Sequence, residues 1–437
     1  MHTTEPLGAT AVPGTRAGRA LVRGMTRWDL AGICINGIIG AGIFGLPAAA
    51  AGMLGVSSPI AFVLCAIVVY VLVLCFAEAA SHFTETGGPY LYSRAVFGPF
   101  VAFEVGWAMW VSRVSAFAAN SNLLVSYLGF FVPQVTSGLG RALVLIVVPA
   151  VLTIINIRGV TSAARFGTIL ALVKVSALVL FGIVGFAFID WSRFSGISLS
   201  PEANWGGAIL LLIYAYTGFE NSVIPAAEAK DPVKDLPWAM TVSLGVCAII
   251  YLAVQTVAVG TVPNLASSQR PLADSAQSFL GPSAGGFISL LVCISVLGNL
   301  NGGLLTMPRM TYAFAERREF PAWFGKLHPV YGTPVVSIVF FAAAVSILAL
   351  SGTFIWLVSV TVVARLASYL VTCLAVPVLR RRSTVPPAFK IPLGPVIPVV
   401  GAVLCIWLLT HATAGDLRTF GLASIAGAVL YVARPRR

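Results

Sequence analysis

Long apolar runs follow one another along this chain from Leu30 to Val432, with short polar segments between them. A helix needs about 20 such residues to cross the hydrocarbon core of a bilayer. Of the 437 residues, 58% are hydrophobic and 10% are charged, whereas soluble domains carry about 25% charged residues. The sequence therefore predicts an all-α integral membrane protein with one membrane domain.

Hydropathy predicts twelve transmembrane helices within a membrane domain that covers residues 28–433. Residues 1–27 contain four arginines and no apolar core, so we interpret them as a disordered cytoplasmic tail rather than a signal peptide. Residues 434–437 form the other terminus. The predicted spans are approximately 28–52, 59–81, 98–131, 141–157, 165–189, 205–227, 237–261, 284–316, 334–350, 353–379, 394–411 and 416–433.

The positions of the basic residues predict the orientation. With a cytoplasmic N-terminus, twenty of the 27 Lys and Arg residues fall in inner tails and loops, four fall in outer loops and three fall within spans. Inner loops of membrane proteins carry such an excess. Both termini are therefore expected to be cytoplasmic in a multi-pass protein of the cell membrane. Topology, rather than nucleic acid binding, accounts for the net charge of +12.

The seven cysteines all lie inside apolar runs, without CxxC or Cys/His spacing. The sequence thus indicates neither a disulfide framework nor a metal site, and it implies no cofactor.

Two predicted spans contain glycine near the middle of the bilayer. The first reads NGIIGAGIFG at 36–45 with Pro47 following, and the sixth reads YAYTGFEN at 214–221 with Pro225 following. Small residues also allow close helix packing, which is the alternative explanation. Two interrupted helices in corresponding positions of two halves are typical of inverted-repeat transporters.

Unwinding a helix within a membrane leaves N–H and C=O groups without partners, which is tolerated only where they line a cavity. A half-helix N-terminus can then bind an anion such as a carboxylate, and the freed carbonyl oxygens can bind an ammonium. An α-amino acid carries both groups.

Four motifs resemble the amino acid–polyamine–organocation (APC) transporters, and the resemblance runs from about Trp28 to Arg437. GIIGAGIF at 37–44 resembles the first-helix signature, and ETGGPYLYSRAVFGP at 85–99 resembles the loop after the second helix. YAYTGFENSVIPAAEAKDPVKDLP at 214–237 is similar to the broken sixth helix. LGNLNGGLLTMPRMTYAFAERREFP at 297–321, with HPVYGTP at 328–334, is similar to the eighth helix and its exit.

The resemblance implies a LeuT-type 5+5 inverted-repeat fold with helices 1 and 6 discontinuous. The first repeat would cover 28–189, the second 205–379, and helices 11 and 12 would occupy 394–433. It implies secondary active transport of amino acids or related organic cations by alternating access, with a proton as coupling ion and the lipid bilayer as surroundings. Exchange without proton coupling stays an alternative.

Site residues follow from the same resemblance. The substrate carboxylate would bind the backbone of Gly40, Ala41 and Gly42, where Ala41 replaces a hydroxyl residue found in many members. The amino group would bind carbonyls near Ile38 and Thr217. Tyr214 would either face the substrate or pack against neighbouring helices. The remaining predicted substrate-binding positions are Ile43, Arg113, Gly218, Glu220 and Gly303.

Three basic residues lie within predicted spans, where a charge is costly unless paired or hydrated. Lys174 matches a fifth-helix lysine that, in proton-coupled members, bridges helices one and five in place of sodium. Its alternative role is a structural tether. An ion pair between Arg113 and Glu220 is favoured, the alternative being that Arg113 binds an acidic group of the ligand. Arg365 is expected near an inner gate.

Other function classes have weaker support. An enzyme is disfavoured because the four histidines lie in the tail or at span ends and no HExxH or GxSxG motif occurs. A passive channel would favour repeated filter segments rather than two interrupted spans. A transporter-like sensor stays an open alternative.

Overall fold

The structure is a computed structural model, and it describes the main chain of residues 25–83, 88–158, 163–197, 199–200, 202–222, 229–382 and 389–434. The side chains of 163–171 and 232–233 are not described. The predictions for most of the N-terminal tail, for Pro225 and for residues 435–437 therefore lie outside the described residues.

The described chain is all-helical, as the sequence predicted, and its one β-bridge is a parallel contact between Met25 and Ala229. Its α-helices are α1 (Arg27–Ile38), α2 (Gly42–Leu54), α3 (Ser58–Ser81), α4 (Gly88–Phe97), α5 (Pro99–Leu128), α6 (Gly138–Ile157), α7 (Ala163–Phe186), α8 (Trp205–Tyr216), α9 (Pro232–Thr261), α10 (Pro271–Leu280), α11 (Pro282–Thr306), α12 (Pro308–Glu316), α13 (Val335–Ser351), α14 (Phe354–Arg382), α15 (Val396–Leu409) and α16 (Ala414–Val432).

Proline sets the starts of several of these helices. The N–H groups of the first turn have no partner within the helix, so proline, which lacks an N–H, loses no hydrogen bond there. Its fixed φ is also close to the helical value. This explains why the predicted span 284–316 is two helices, since α12 begins at a proline directly after Met307. The prolines in this position are Pro99, Pro232, Pro271, Pro282 and Pro308.

Five helical segments of the described chain are long and apolar enough to cross a membrane, and α15 with α16 would add a sixth as one pair bent by 113°. The five are Gly42–Ser81, Gly138–Ile157, Lys234–Thr261, Pro282–Glu316 and Phe354–Arg382. Shorter pieces arise where helices break: α1 and α8 have 12 residues each, fewer than the roughly 20 a span needs. The count of twelve spans stays a prediction.

Large apolar side chains cover the outside of the helices. Ile154, Ile183, Ile249, Ile347 and Ile425 are all more than half exposed. So many exposed large apolar side chains are unusual for a soluble monomer and suit contact with lipid.

The interior is centred on α5, which packs against α14, α4, α11 and α13. Trp110 of α5 stacks between Trp107 and Phe340, with ring centroids 4.8 and 5.2 Å away. The two interrupted regions, at the α1–α2 junction and at the end of α8, pack against each other within this framework.

Candidate functional site

The first interruption lies at residues 39–41, between α1 and α2, where the glycine-rich signature predicted it. The N–H of Gly40 donates to the carbonyl oxygen of Ile38 at 2.7 Å, and the N–H of Phe44 donates to that of Ala41 at 3.1 Å. No side chain that the structure describes caps the N-terminus of α2. The first N–H groups of α2 therefore depend on the main chain or a ligand for partners.

The second interruption begins after Tyr216, the last residue of α8. Thr217 is extended, with φ −73° and ψ 155°, and its hydroxyl donates to the carbonyl oxygen of Tyr214 at 2.8 Å. Gly218 follows with φ 113°, a conformation that favours glycine. A short 3-10 turn at 219–222 continues the chain.

The two interruptions touch through glycine. A Cβ on Gly37 would lie 2.6 Å from the carbonyl oxygen of Gly218, and one on Gly42 would lie 2.6 Å from the Cα of Ala215. A Cβ on Gly40 has more room, since its nearest neighbour would be the Nδ2 of Asn299 at 3.7 Å. The glycines thus serve both close packing and helix interruption, the two explanations that the sequence left open.

Carbonyl oxygens released by the interruptions have side-chain partners. The hydroxyl of Tyr251, on α9, lies 3.0 Å from the carbonyl oxygen of Ile38 and 3.1 Å from that of Ala215. A hydroxyl has a single hydrogen, so it donates to one of these oxygens at a time. Nothing in the sequence pattern singled out Tyr251, because it lies within an ordinary apolar run.

The ammonium of Lys174 joins α7 to the end of α1. Its Nζ donates to the carbonyl oxygens of Asn36 at 3.0 Å and Ile39 at 2.6 Å. The side chain is buried. This is the bridge between the first and fifth predicted spans that the resemblance implied.

Glu220 lies directly beyond the second interruption and is buried. Its Oε1 accepts from Arg113 Nη2 at 3.2 Å and also pairs with Arg365 Nη1. Its Oε2 accepts from the N–H of Gly218 at 2.9 Å and from the hydroxyl of Tyr369 at 3.4 Å. The predicted Arg113–Glu220 ion pair is confirmed, and Arg365 is a second partner that sequence reasoning placed elsewhere.

The two arginines have further contacts. Arg113 Nη2 donates to Asn221 Oδ1 at 2.9 Å, and Arg365 Nε donates to the hydroxyl of Ser112 at 2.9 Å. A small cavity of about 10 Å³ lies beside them, lined in part by Tyr369. This volume is about that of one water-sized probe.

Three other predicted positions, Tyr214, Ile43 and Gly303, are buried. The hydroxyl of Tyr214 donates to Asn120 Oδ1 at 2.7 Å and contacts the carbonyl oxygen of Ala116 at 3.3 Å, so this side chain packs against α5. Ile43 is fully buried. Gly303 lies against the ring of Phe117, which occupies the place a Cβ would take.

A larger cavity of about 580 Å³ lies between the α5–α6 and α9–α10 connections. Its lining includes Arg270 and Asp274, whose Nε and Oδ1 are 3.7 Å apart. None of the predicted substrate-binding residues is among its lining residues.

Two further polar clusters join helix ends. Tyr90 of α4 donates to Glu319 at 2.8 Å, and burial together with this carboxylate raises the pKa of the Tyr90 hydroxyl. Glu78 of α3 accepts from Arg380 NH2 at 2.6 Å and from the N–H of Ile391 at 2.8 Å. These contacts hold the chain after α12 and after α14 to the ends of α4 and α3.

Comparison with a family model and with individual proteins points to one family along most of the chain. The family model described as amino acid permease matches residues 25–420, which is most of the chain.

Individual relatives align along nearly their full lengths. The methylthioribose transporter of Bacillus subtilis (strain 168) is 27% identical, covering 96% of this chain and 95% of the relative. The branched-chain amino acid permease BcaP of the same organism is 27% identical, with 98% and 96% covered. The serine/threonine exchanger SteT of Bacillus subtilis (strain 168) is also 27% identical, covering 90% of this chain and 92% of the relative.

Proposed function

This chain belongs to the amino acid permease family of the APC superfamily, and we propose that it carries amino acids across the cell membrane by proton-coupled alternating access. It is a multi-pass membrane protein of a transporter family, not an enzyme. The observation that carries the proposal is the uncapped N-terminus of α2, which meets the end of α8 within the membrane domain.

The carboxylate of the amino acid binds at this N-terminus. Main-chain N–H groups of Ala41, Gly42 and Ile43 supply donors, and the partial positive charge of a helix start favours an anion. Gly40, directly before these donors in the chain, is not crowded, because a Cβ there would make only ordinary van der Waals contact, with the Nδ2 of Asn299 at 3.7 Å. Recognition therefore needs no charged side chain at this end of the ligand.

The ammonium of the amino acid binds the carbonyl ends of the interruptions near Ile38 and Thr217. Tyr251 supports this assignment, since its single hydrogen serves only one of two carbonyl oxygens at a time. Whichever of the two carbonyl oxygens does not receive the Tyr251 hydrogen can accept a hydrogen bond from the ligand ammonium. Opposite charges of the zwitterion thus meet opposite ends of two half-helices.

Lys174 couples transport to protons in this proposal. Its ammonium holds the carbonyls of Asn36 and Ile39. Loss of its proton would leave two uncharged N–H donors, whose hydrogen bonds are weaker, so the hold on the end of α1 would loosen. Water reaching Lys174 in one state of the transport cycle and not in the other would allow it to gain and lose that proton. Proton binding and the position of α1 are then linked.

The proposed architecture is the twelve-span LeuT-type fold with both termini in the cytoplasm, repeats at 28–189 and 205–379, and peripheral helices at 394–433. Predicted helices 1, 2, 6 and 7 would move as a bundle against helices 3, 4, 5 and 8. The Arg113–Glu220–Arg365 cluster would separate during this motion, because it ties α5 and α14 to the chain after α8.

Uptake into liposomes tests the proposal. The purified full chain is reconstituted, and uptake of a panel of radiolabelled amino acids and putrescine is measured with and without an inward proton gradient. We expect saturable uptake that the gradient accelerates and a protonophore abolishes. Non-saturable flux would indicate a channel and overturn the proposal.

Exchange is the second candidate, favoured by the similarity to a serine/threonine exchanger. In the same liposomes, exchange requires amino acid preloaded inside and proceeds equally with and without a pH gradient. That result would show that the protein transports amino acids by exchange and not by proton coupling.

A further inference from the structure

The ionisable side chains around the two interruptions are unequal in sign. Among the residues that the structure describes there, Arg113, Lys174 and Arg365 are basic and Glu220 is acidic. The cluster of Arg113, Glu220 and Arg365 alone carries a net charge of +1 when ionised. Lys174 leaves the region positive whether or not it is protonated.

Glu220 has no oxygen left for a ligand cation. Oε1 accepts from both arginines, and Oε2 accepts from the N–H of Gly218 and the hydroxyl of Tyr369. Arg113 is more accessible than Glu220, because 15% of the Arg113 side chain is exposed and only 7% of the Glu220 side chain. The face that this cluster offers to a ligand is therefore cationic.

The cluster lies next to the proposed amino acid site. Gly218 donates its N–H to Glu220 and at the same time packs against Gly37 of α1. Gly37 precedes Gly40 by three residues and lies in the last turn of α1, directly before the first interruption. Arg113 of α5 contacts Glu220 and Asn221, just beyond the second interruption, so its charge lies beside this site.

We infer that the cluster of Arg113, Glu220 and Arg365 is a charge filter, which restricts transport to carboxylate-bearing ligands without net positive charge. This inference rests on the proposed function and narrows its substrate class. Amino acids with neutral side chains pass, whereas arginine, lysine and polyamines are rejected. Like charges repel strongly in a water-poor site because little solvent screens them.

Matched ligand pairs test the filter. Citrulline and arginine have side chains of equal length and similar shape but differ by one charge, and norvaline and 2,4-diaminobutyrate form a smaller pair of the same kind. Each competes with the radiolabelled neutral amino acid that shows the highest saturable uptake in liposomes. We expect the neutral member of a pair to inhibit at a concentration at least tenfold lower than the cationic member.

The selectivity ratio is the inhibiting concentration of the cationic member of a pair divided by that of the neutral member. Substitutions within the cluster are expected to change this ratio in opposite directions. Arg113→Gln makes the cluster neutral and should bring the ratio towards one, and Arg365→Gln should do the same. Glu220→Gln makes it +2 and should increase the ratio. Arg418→Gln removes an exposed arginine far along the chain and should leave the ratio unchanged.

The opposite signs separate a charge filter from general damage, which would lower all uptake without a charge-dependent pattern. Equal inhibition by both members of each pair in the parent protein would overturn the filter while leaving amino acid transport intact. A ratio that changes in the same direction for Arg113→Gln and Glu220→Gln would also overturn it. Absence of saturable uptake for every amino acid would instead overturn the proposed function and the filter together.

Discussion

Lys174 Nζ lies 2.6 Å from the carbonyl oxygen of Ile39, the first residue after α1. The same ammonium contacts the carbonyl oxygen of Asn36 one helical turn earlier. One side chain of α7 thus satisfies two acceptors at the point where the first helix ends. Its hydrogen bonds within the described chain go to neutral carbonyls, so its charge is not balanced by a carboxylate there.

We expect Lys174→Ala to abolish the acceleration of uptake by a proton gradient while the protein remains folded. The reason is that, among the described side chains, Lys174 is the amine that contacts the end of α1. The measurement is initial uptake in liposomes with and without an inward gradient, after size-exclusion chromatography shows a monodisperse protein. Lys326→Ala, at an exposed lysine, is the control, and undiminished proton-driven uptake in Lys174→Ala would refute the role.

Gly40→Ala tests the carboxylate position. The added methyl group meets no atom within 3.7 Å, so we expect the free energy of unfolding to change by less than about 0.5 kcal/mol. In the proposed site the ligand carboxylate lies against this segment, so the methyl group should crowd it and raise KM for uptake about tenfold, equivalent to about 1.4 kcal/mol. Unaltered KM would show that the ligand carboxylate binds elsewhere.

Gly42→Ala is the matched comparison, because its Cβ would lie 2.6 Å from the Cα of Ala215. Overpacking of this kind costs about 1–3 kcal/mol. We therefore expect a lower melting temperature in detergent for Gly42→Ala than for Gly40→Ala. Equal melting temperatures would contradict the close backbone contact between α2 and α8.

Gly218→Ala is expected to destabilise the protein. An alanine at φ 113° is strained, which costs about 1–3 kcal/mol, and its Cβ would overlap the carbonyl group of Gly37. Thermal unfolding in detergent measures the loss. Gly245→Ala, at a helical glycine with no atom within 4 Å of an added Cβ, should be neutral or stabilising, and similar losses in both variants would argue against the strained turn.

The helix interruptions were predictable because their cause is local. Glycine weakens a helix wherever it stands, and Gly37, Gly40, Gly42 and Gly218 cluster in two short segments. The structure ends α1 at Ile38 and α8 just before Thr217, within these segments. Local composition was sufficient to place both ends.

The side chains that complete the site were not predictable in the same way. Arg365 pairs with Glu220 from 145 residues away along the chain, and Tyr251 reaches Ile38 from 213 residues away. Which face of α14 or α9 meets the interruptions depends on helix rotation and packing, and a uniformly apolar helix gives no periodic signal for its rotation. The sequence therefore indicated Arg365 as an intramembrane charge but not its partner.

Glu78 and Arg380 provide a last prediction, because the two members of this ion pair differ in solvent exposure. Glu78 is fully buried, whereas 13% of the Arg380 side chain is exposed. Glu78→Gln keeps the size of the side chain but leaves Arg380 without its counter-ion. Removing one partner of a buried pair costs about 3–5 kcal/mol. We expect a loss near the lower value, since Arg380 keeps some solvent contact, measured as the free energy of unfolding in detergent.

The double variant Glu78→Gln with Arg380→Gln separates loss of the pair from an unpaired buried charge. It leaves no isolated charge, so it should be more stable than Glu78→Gln alone, which is the non-additivity expected of residues in contact. Glu202→Gln, at an exposed carboxylate, should have little effect. A Glu78→Gln protein as stable as its parent would mean that the ion pair does not hold the chain after α14 to α3. The hydrogen bond that the N–H of Ile391 donates to the side chain at position 78 would then suffice, with an amide oxygen as acceptor.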